Sequence, residues 1–227
     1  MKKFRFLCLC LIVFSKTFGV NGQIKSAQSI QIIDKPIIWD STRKALSLQY
    51  MKERHGIIQK EPTIIPQIIV AHWTAIPTFE GSFRAFNAPQ LSASRKVLKG
   101  ASALNVSIHF LVDRDGKIYR LLPETTFARH VIGLNYCAIG IENVGDGQKN
   151  PLTPAQFEAN VAIVKYLKNK YSTIQYLIGH HEYTNFRNTP LWKETDPNYL
   201  TGKDDPGPEF MNQLRERVKD LGLKGGY

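Results

Sequence analysis

Three short apolar runs in this chain each lead to a side chain that can carry chemistry, and this pattern constrains the fold more than any other feature. Gln67-Ile68-Ile69-Val70-Ala71 leads to His72, Cys137-Ala138-Ile139-Gly140-Ile141 leads to Glu142, and Gln175-Tyr176-Leu177-Ile178 leads through Gly179 to His180 and His181. Apolar runs of this length, bounded by turn signals, read as buried strands. Helical patterns lie between and around them. Asp40 or Ser41 can cap a helix that runs to about His55, with Gly56 as its stop. Thr78 to Phe86 reads as a second helix. Thr153-Pro154-Ala155-Gln156 is a capping box with proline at the first helical position, and it opens a helix through Lys168 with Phe157, Val161, Val164 and Leu167 on one stripe. A last helix starts near Pro208 and carries Phe210, Leu214, Val218 and Leu221. Strands interleaved with helices predict an α/β fold, a mixed central β-sheet flanked by helices, with an N-terminal extension. Ligand sites in such sheets gather at strand ends.

The remaining segments fill in this frame. Val106, Ile108, Phe110 and Val112 alternate with Ser107, His109 and Leu111, which is strand period. Asp113-Arg114-Asp115-Gly116 is a turn with glycine where positive φ is needed, and residues 117–122 return. Residues 123–136 are a loop holding His130 and Asn135. His55 closes the first helix, where a cation offsets the helix dipole. Residues 57–66, with Pro62 and Pro66, read as a linker.

Residues 1–22 have the grammar of a secretory signal peptide. Lys2, Lys3 and Arg5 precede a nine-residue apolar run, Phe6 to Phe14, that is too short to span a bilayer. Cys8 and Cys10 each follow leucine, which argues against lipidation. The chain is therefore expected to be exported, periplasmic or extracellular, with no stable membrane anchor, and monomeric. Cys137 is then the sole remaining cysteine, which excludes an internal disulfide framework and a cysteine-rich zinc module. The net charge of +11 falls to about +7 without the leader and suits an anionic partner such as a bacterial wall polymer. No dense Lys/Arg block or basic-aromatic stripe is present, so no nucleic-acid partner is expected. The expected division is a signal peptide (1–22), an N-terminal helical extension (23–62), a catalytic domain (63–222) and a C-terminal tail (223–227).

Two histidines and one carboxylate can hold a zinc ion and leave its fourth position open to water. His72 and His180 supply the histidines. Adjacent strand residues point to opposite faces, so His181 is expected at the surface or behind the site. Asp205, in Gly202-Lys203-Asp204-Asp205-Pro206-Gly207, supplies the carboxylate, with Asp196-Pro197 as a competitor. The H-E-x-x-H helix motif of many zinc peptidases is absent.

The ordered set of motifs resembles the zinc-dependent N-acetylmuramoyl-L-alanine amidases of the type 2 amidase and peptidoglycan recognition protein superfamily. The matching pieces are Ile69 to Ala75, Val106 to Gly116, Ala128-Arg129-His130 with Asn135, Ile139 to Glu142, Ile178-Gly179-His180, and Lys203 to Gly207, in the family's order over about residues 65–220. The resemblance implies that His72, His180 and Asp205 bind Zn2+, that Glu142 activates the hydrolytic water, and that Lys203 stabilises the developing oxyanion. Its Lys-x-Asp-Pro-Gly spacing favours Asp205 over Asp196. Where the recognition-protein branch often has tyrosine this chain has Ile108, so the base role falls to Glu142. His109, His130, Asn135 and Trp73 are expected to contact substrate, peptidoglycan or muropeptides. Gly140, on the strand face of Glu142, is expected to leave room for it. Residues 183–201 read as an insertion whose Tyr183, Phe186, Trp192 and Tyr199 could wall the cleft. The rival readings are a non-catalytic peptidoglycan-binding module of the same fold and a zinc peptidase acting within the stem peptide. A complete ligand set disfavours the first.

Overall fold

The computed structural model describes Met1, residues 30–92 and residues 101–226. Residues 2–22 of the expected leader, with Cys8 and Cys10, lie outside the described residues.

Among the described residues, six strands form one mixed sheet. They are β1 (Ile32–Asp34), β2 (Ile68–Trp73), β3 (Phe110–Val112), β4 (Ile118–Arg120), β5 (Ala138–Asn143) and β6 (Tyr176–Gly179), in the order β1-β4-β3-β5-β2-β6. Neighbours are parallel except across the β3–β4 hairpin. The strands β2 and β5 are paired on both edges and buried along their length, which is why their sequences are apolar almost without interruption.

Period-two alternation then sorts their side chains. Ile69, Ala71, Ile139 and Ile141 join the main core with the helices α3 (Pro154–Lys170) and α4 (Pro208–Arg217). Ile68, Val70 and Ala138 face a second cluster with Tyr183 and Phe186. His72 and Glu142 continue that second face, and they are register partners in the β2–β5 ladder.

The helices start where their caps dictate. Asp40 accepts from the Arg43 N–H to open α1 (Ser41–His55), and Gly56 closes it at φ 65°. Thr78 caps α2 (Phe79–Asn87). Both bonds of the Thr153/Gln156 capping box are made at α3, an arrangement in which the threonine contributes about 1 kcal/mol. Helix α1 buries Tyr50 and Met51 in the same core as α3 and α4. Among the described residues no helix is long and apolar enough to cross a membrane.

Three local expectations are corrected. First, His55 does not sit at the helix end as an exposed cation. It is buried among Tyr50, Phe127 and Tyr136, and its Nδ1–H donates to the Lys193 carbonyl at 2.7 Å. Burial pushes its pKa down to about 4, so it is neutral and cannot offset the dipole. Second, the strand expected over 106–112 pairs only at Phe110–Val112. Its other side is covered by the 127–132 loop, with Ser107 and Arg129 exchanging N–H bonds at 3.0 Å, so Ser107 and His109 are as buried as their apolar neighbours. Third, the 183–201 segment does not turn all of its aromatics to the cleft. Tyr183 and Phe186 are core residues, Thr195 donates to the Arg54 carbonyl, and Glu194 pairs with Arg54 at 2.9 Å, which straps the insertion to α1. Beyond α4 the chain returns to the sheet. The Leu177 N–H donates to the Lys224 carbonyl, and the Lys224 N–H donates to that of Gln175, both at 2.9 Å, along the outer edge of β6.

Candidate metal centre

His72, His180 and Asp205 meet where β2 and β6 end. His72 is the fifth residue of β2 and is 1% exposed. At the end of β6 the chain turns into a 3-10 segment, His180–Phe186, and the Gly179 N–H donates to Glu182 Oε2 at 2.7 Å to hold that turn. Asp205 comes from the loop before α4. Its backbone carbonyl accepts from the N–H and from the ring Nδ1–H of His181, each at 3.0 Å. His181, expected at the surface or behind the site, thus ties the aspartate loop to the turn that presents His180.

Asp205 Oδ2 lies 3.2 Å from His72 Nδ1 and 3.1 Å from His180 Nδ1, and one donor atom from each of the three residues falls within 4.8 Å of the others. Zinc bonds of about 2.0–2.2 Å in a tetrahedron put neighbouring donors roughly 3.3 Å apart. The spacing therefore fits a small tetrahedral cation, and the donor set is one zinc accepts with a position left open. Burial and then the neighbouring His72 push the His180 pKa down to about 4, with Lys203 adding to the push and Asp205 opposing it, so the ring is a neutral donor. Burial alone would raise the Asp205 carboxyl, but the facing imidazoles of His180 and His72 hold it well below the usual carboxylate range. Asp196, the competitor, is half-exposed and faces Arg54 at 3.6 Å, away from the two histidines.

These groups open onto a cavity of about 700 Å³. Glu142, 9% exposed, and Lys203 line it together with the three donors. Trp73, His130 and Asn135 line it as well. The Trp73 ring lies over Gly147. Asn135 Oδ1 accepts from the N–H groups of His130 and Val131, at 2.8 and 2.7 Å, which shapes the loop presenting His130.

His109 is not brought to the cavity. It is fully buried, its Nε2–H donates to the Thr126 carbonyl at 2.8 Å, and its Nδ1 accepts the Gly140 N–H at 3.0 Å. Burial pushes its pKa down to about 4. With both ring nitrogens bonded to backbone it holds β5 and the 123–136 loop together and does not reach a ligand. The space expected beside Gly140 is also filled. A Cβ there would meet Ile108 Cδ1 and lie 2.8 Å from His130 Nδ1. Of the insertion aromatics, Tyr199 lines the cavity, whereas Tyr183, Phe186 and Trp192 pack beneath it. Tyr50 of α1 and Arg129 complete the far wall. Neither was read from the sequence as a cavity residue. Tyr50 showed only as part of the apolar face of α1, and Arg129 only as the residue before His130.

Comparison with known proteins agrees with this geometry. The chain is similar to the N-acetylmuramoyl-L-alanine amidase LysC from Clostridium intestinale URNW, with 21% identity, a TM-score of 0.50, and coverage of 86% of this chain and 99% of that one. It is similar at the same identity to the endolysine amidase LysCS of that organism, with a TM-score of 0.51, 87% of this chain and 99% of that chain covered. At these identities the likeness is one of fold. It is 34% identical over 84 residues to an endolysin of Klebsiella phage KP32, a match taking in 35% of this chain and 55%, about half, of the phage protein. The family pattern itself covers residues 60–208, a span that takes in His72, Glu142, His180, Lys203 and Asp205. With that span and that mixed sheet, the chain belongs to the N-acetylmuramoyl-L-alanine amidase family, Amidase_2.

Proposed function

We propose that this protein is an exported, zinc-dependent N-acetylmuramoyl-L-alanine amidase. It hydrolyses the amide between the lactyl group of N-acetylmuramic acid and the L-alanine of the peptidoglycan stem peptide. The observation that carries the reading is the convergence of His72 Nδ1, His180 Nδ1 and Asp205 Oδ2 on the wall of a cavity that Glu142 and Lys203 also line. A zinc ion bound there supplies a Lewis acid for the scissile carbonyl and lowers the pKa of water.

The protein groups do the rest. Glu142 takes a proton from the attacking water as its oxygen bonds to the carbonyl carbon. The Lys203 ammonium faces the oxygen that gains charge as the carbonyl becomes tetrahedral. Glu142 then passes the proton to the alanine nitrogen as the C–N bond breaks, leaving a lactyl carboxylate and a free amine. Trp73, which lines the cavity, offers an aromatic face to sugar or peptide. The leader grammar of residues 1–22 supports export to the periplasm or the exterior, where the polymer is, and the positive balance suits an anionic wall.

Digestion of purified sacculi with and without chelator, read as new L-alanine amino termini, tests the reading. Chelator-sensitive release is expected. Cleavage elsewhere in the stem, or tight binding without release, would replace it with one of the two rival readings.

A further inference from the structure

His72 turns Nδ1 toward the metal position, and its other ring nitrogen, Nε2, lies 3.0 Å from Nδ1 of His130. On its far side, His130 Nε2 lies 3.2 Å from the Ala138 carbonyl oxygen. A carbonyl has no proton to give, so His130 Nε2 carries the proton and donates it. A neutral imidazole has one N–H, which leaves His130 Nδ1 as an acceptor. The group facing that acceptor, His72 Nε2, must then be the N–H. With its proton on Nε2, His72 has a lone pair at Nδ1, which stands 3.2 Å from Asp205 Oδ2 as a fellow donor to a shared metal and not as its hydrogen-bond partner.

We propose that His130 is a positioning residue that fixes the metal-ready tautomer of His72, passing the direction of one β5 carbonyl through two imidazole rings. The two rings stand edge to face at 84°, with centroids 5.1 Å apart. Two features hold His130 in this role. Its backbone N–H is bonded to Asn135 Oδ1 at 2.8 Å, and its ring rests on Gly140, where any side chain would displace it. Both ring nitrogens are thereby committed, so His130 meets substrate only through its carbon edge. Strand β5 therefore carries Glu142 on one residue and orients His72 through another, Ala138. This inference rests on the metal reading of the site.

The test compares the unsubstituted chain with His130→Ala and His130→Asn, whose Oδ1 stands where Nδ1 does and can accept from His72. Zinc affinity is measured by chelator competition, and imidazole tautomers by long-range 1H–15N correlation. Zinc affinity is expected to fall about tenfold or more in His130→Ala and to recover in large part in His130→Asn. In the unsubstituted protein His130 is expected as the Nε2–H tautomer. Equal zinc affinity in all three chains, or His130 found as the Nδ1–H tautomer, would overturn this inference alone. A chain that binds no zinc before any substitution would overturn the metal reading, and the inference with it.

Discussion

Asp205 is a carboxylate held between two imidazoles at 3.1 and 3.2 Å, nearly out of contact with water. A cation placed among these donors satisfies all three at once, and ligand binding to the folded state alone stabilises it by mass action. Zinc at a hundred times its dissociation constant is expected to add about 2.7 kcal/mol to stability. The thermal midpoint should rise accordingly, and Asp205→Asn should abolish the rise. The proposed roles of the other two groups separate by the same logic. Glu142→Gln is expected to keep zinc affinity and lose about 10²–10⁴ in kcat. Lys203→Met is expected to lose about 10²–10³ in kcat with little change in KM. A Glu142→Gln enzyme of full activity would remove the proton-transfer role. The donors His72 and His180 were legible in the sequence because each ends an apolar strand, and Asp205 because it stands in Lys-x-Asp-Pro-Gly. His109 was misplaced because alternation assigns a face but does not say what covers that face, and here a loop that Thr126 enters, 17 residues downstream, does.

At the scale of elements, the sheet register does the positioning. His72 and Glu142 face the cavity side by side because β2 and β5 pair Ile68 with Ala138 and keep step to the end. A slip of one residue would turn one of the two into the helix-covered core. Gly140 sits within this ladder where the His130 ring and Ile108 leave no room for a methyl group. Gly140→Ala is therefore expected to cost about 1–3 kcal/mol by overpacking. It should also lower zinc affinity by displacing His130, a loss that the same substitution at solvent-facing Gly202 should not reproduce. Denaturant midpoints and chelator competition read the two effects separately. The sequence showed that Gly140 shared a face with Glu142. It did not show which ring occupies the space, because His130 comes from a loop whose path depends on Asn135 and on the burial of Ser107.

At the scale of the molecule, α1 and the 183–201 segment build the far wall of the cavity together through Tyr50 and Tyr199. Their strap includes the bond from buried, neutral His55 to Lys193. His55 and His109 both have pKa values pushed down to about 4 by burial, against about 6.5 for an ordinary histidine. Between those values the unfolded chain binds protons that the folded chain refuses. Stability is therefore full above pH of about 6.5 and falls as pH drops toward 4, by at most on the order of 3 kcal/mol for each ring. Urea midpoints should fall between pH 7.5 and 5.5, and His55→Phe should flatten the slope. A midpoint independent of pH would contradict the neutral, buried state of both rings.

The bonds that Lys224 makes to Leu177 and Gln175 have a bearing on how the protein meets its own copies. Strand β6 is the last in the sheet, and an open strand edge invites pairing with another chain. The final residues act as a selvedge on that border, and they do so within a few positions of the metal donor His180. A chain ending at residue 222 is expected to fold, yet to self-associate with time and concentration, as light scattering would record. Its loss of activity would then track association rather than loss of zinc. A tag attached after Tyr227 should therefore be joined through a linker that leaves this border bound.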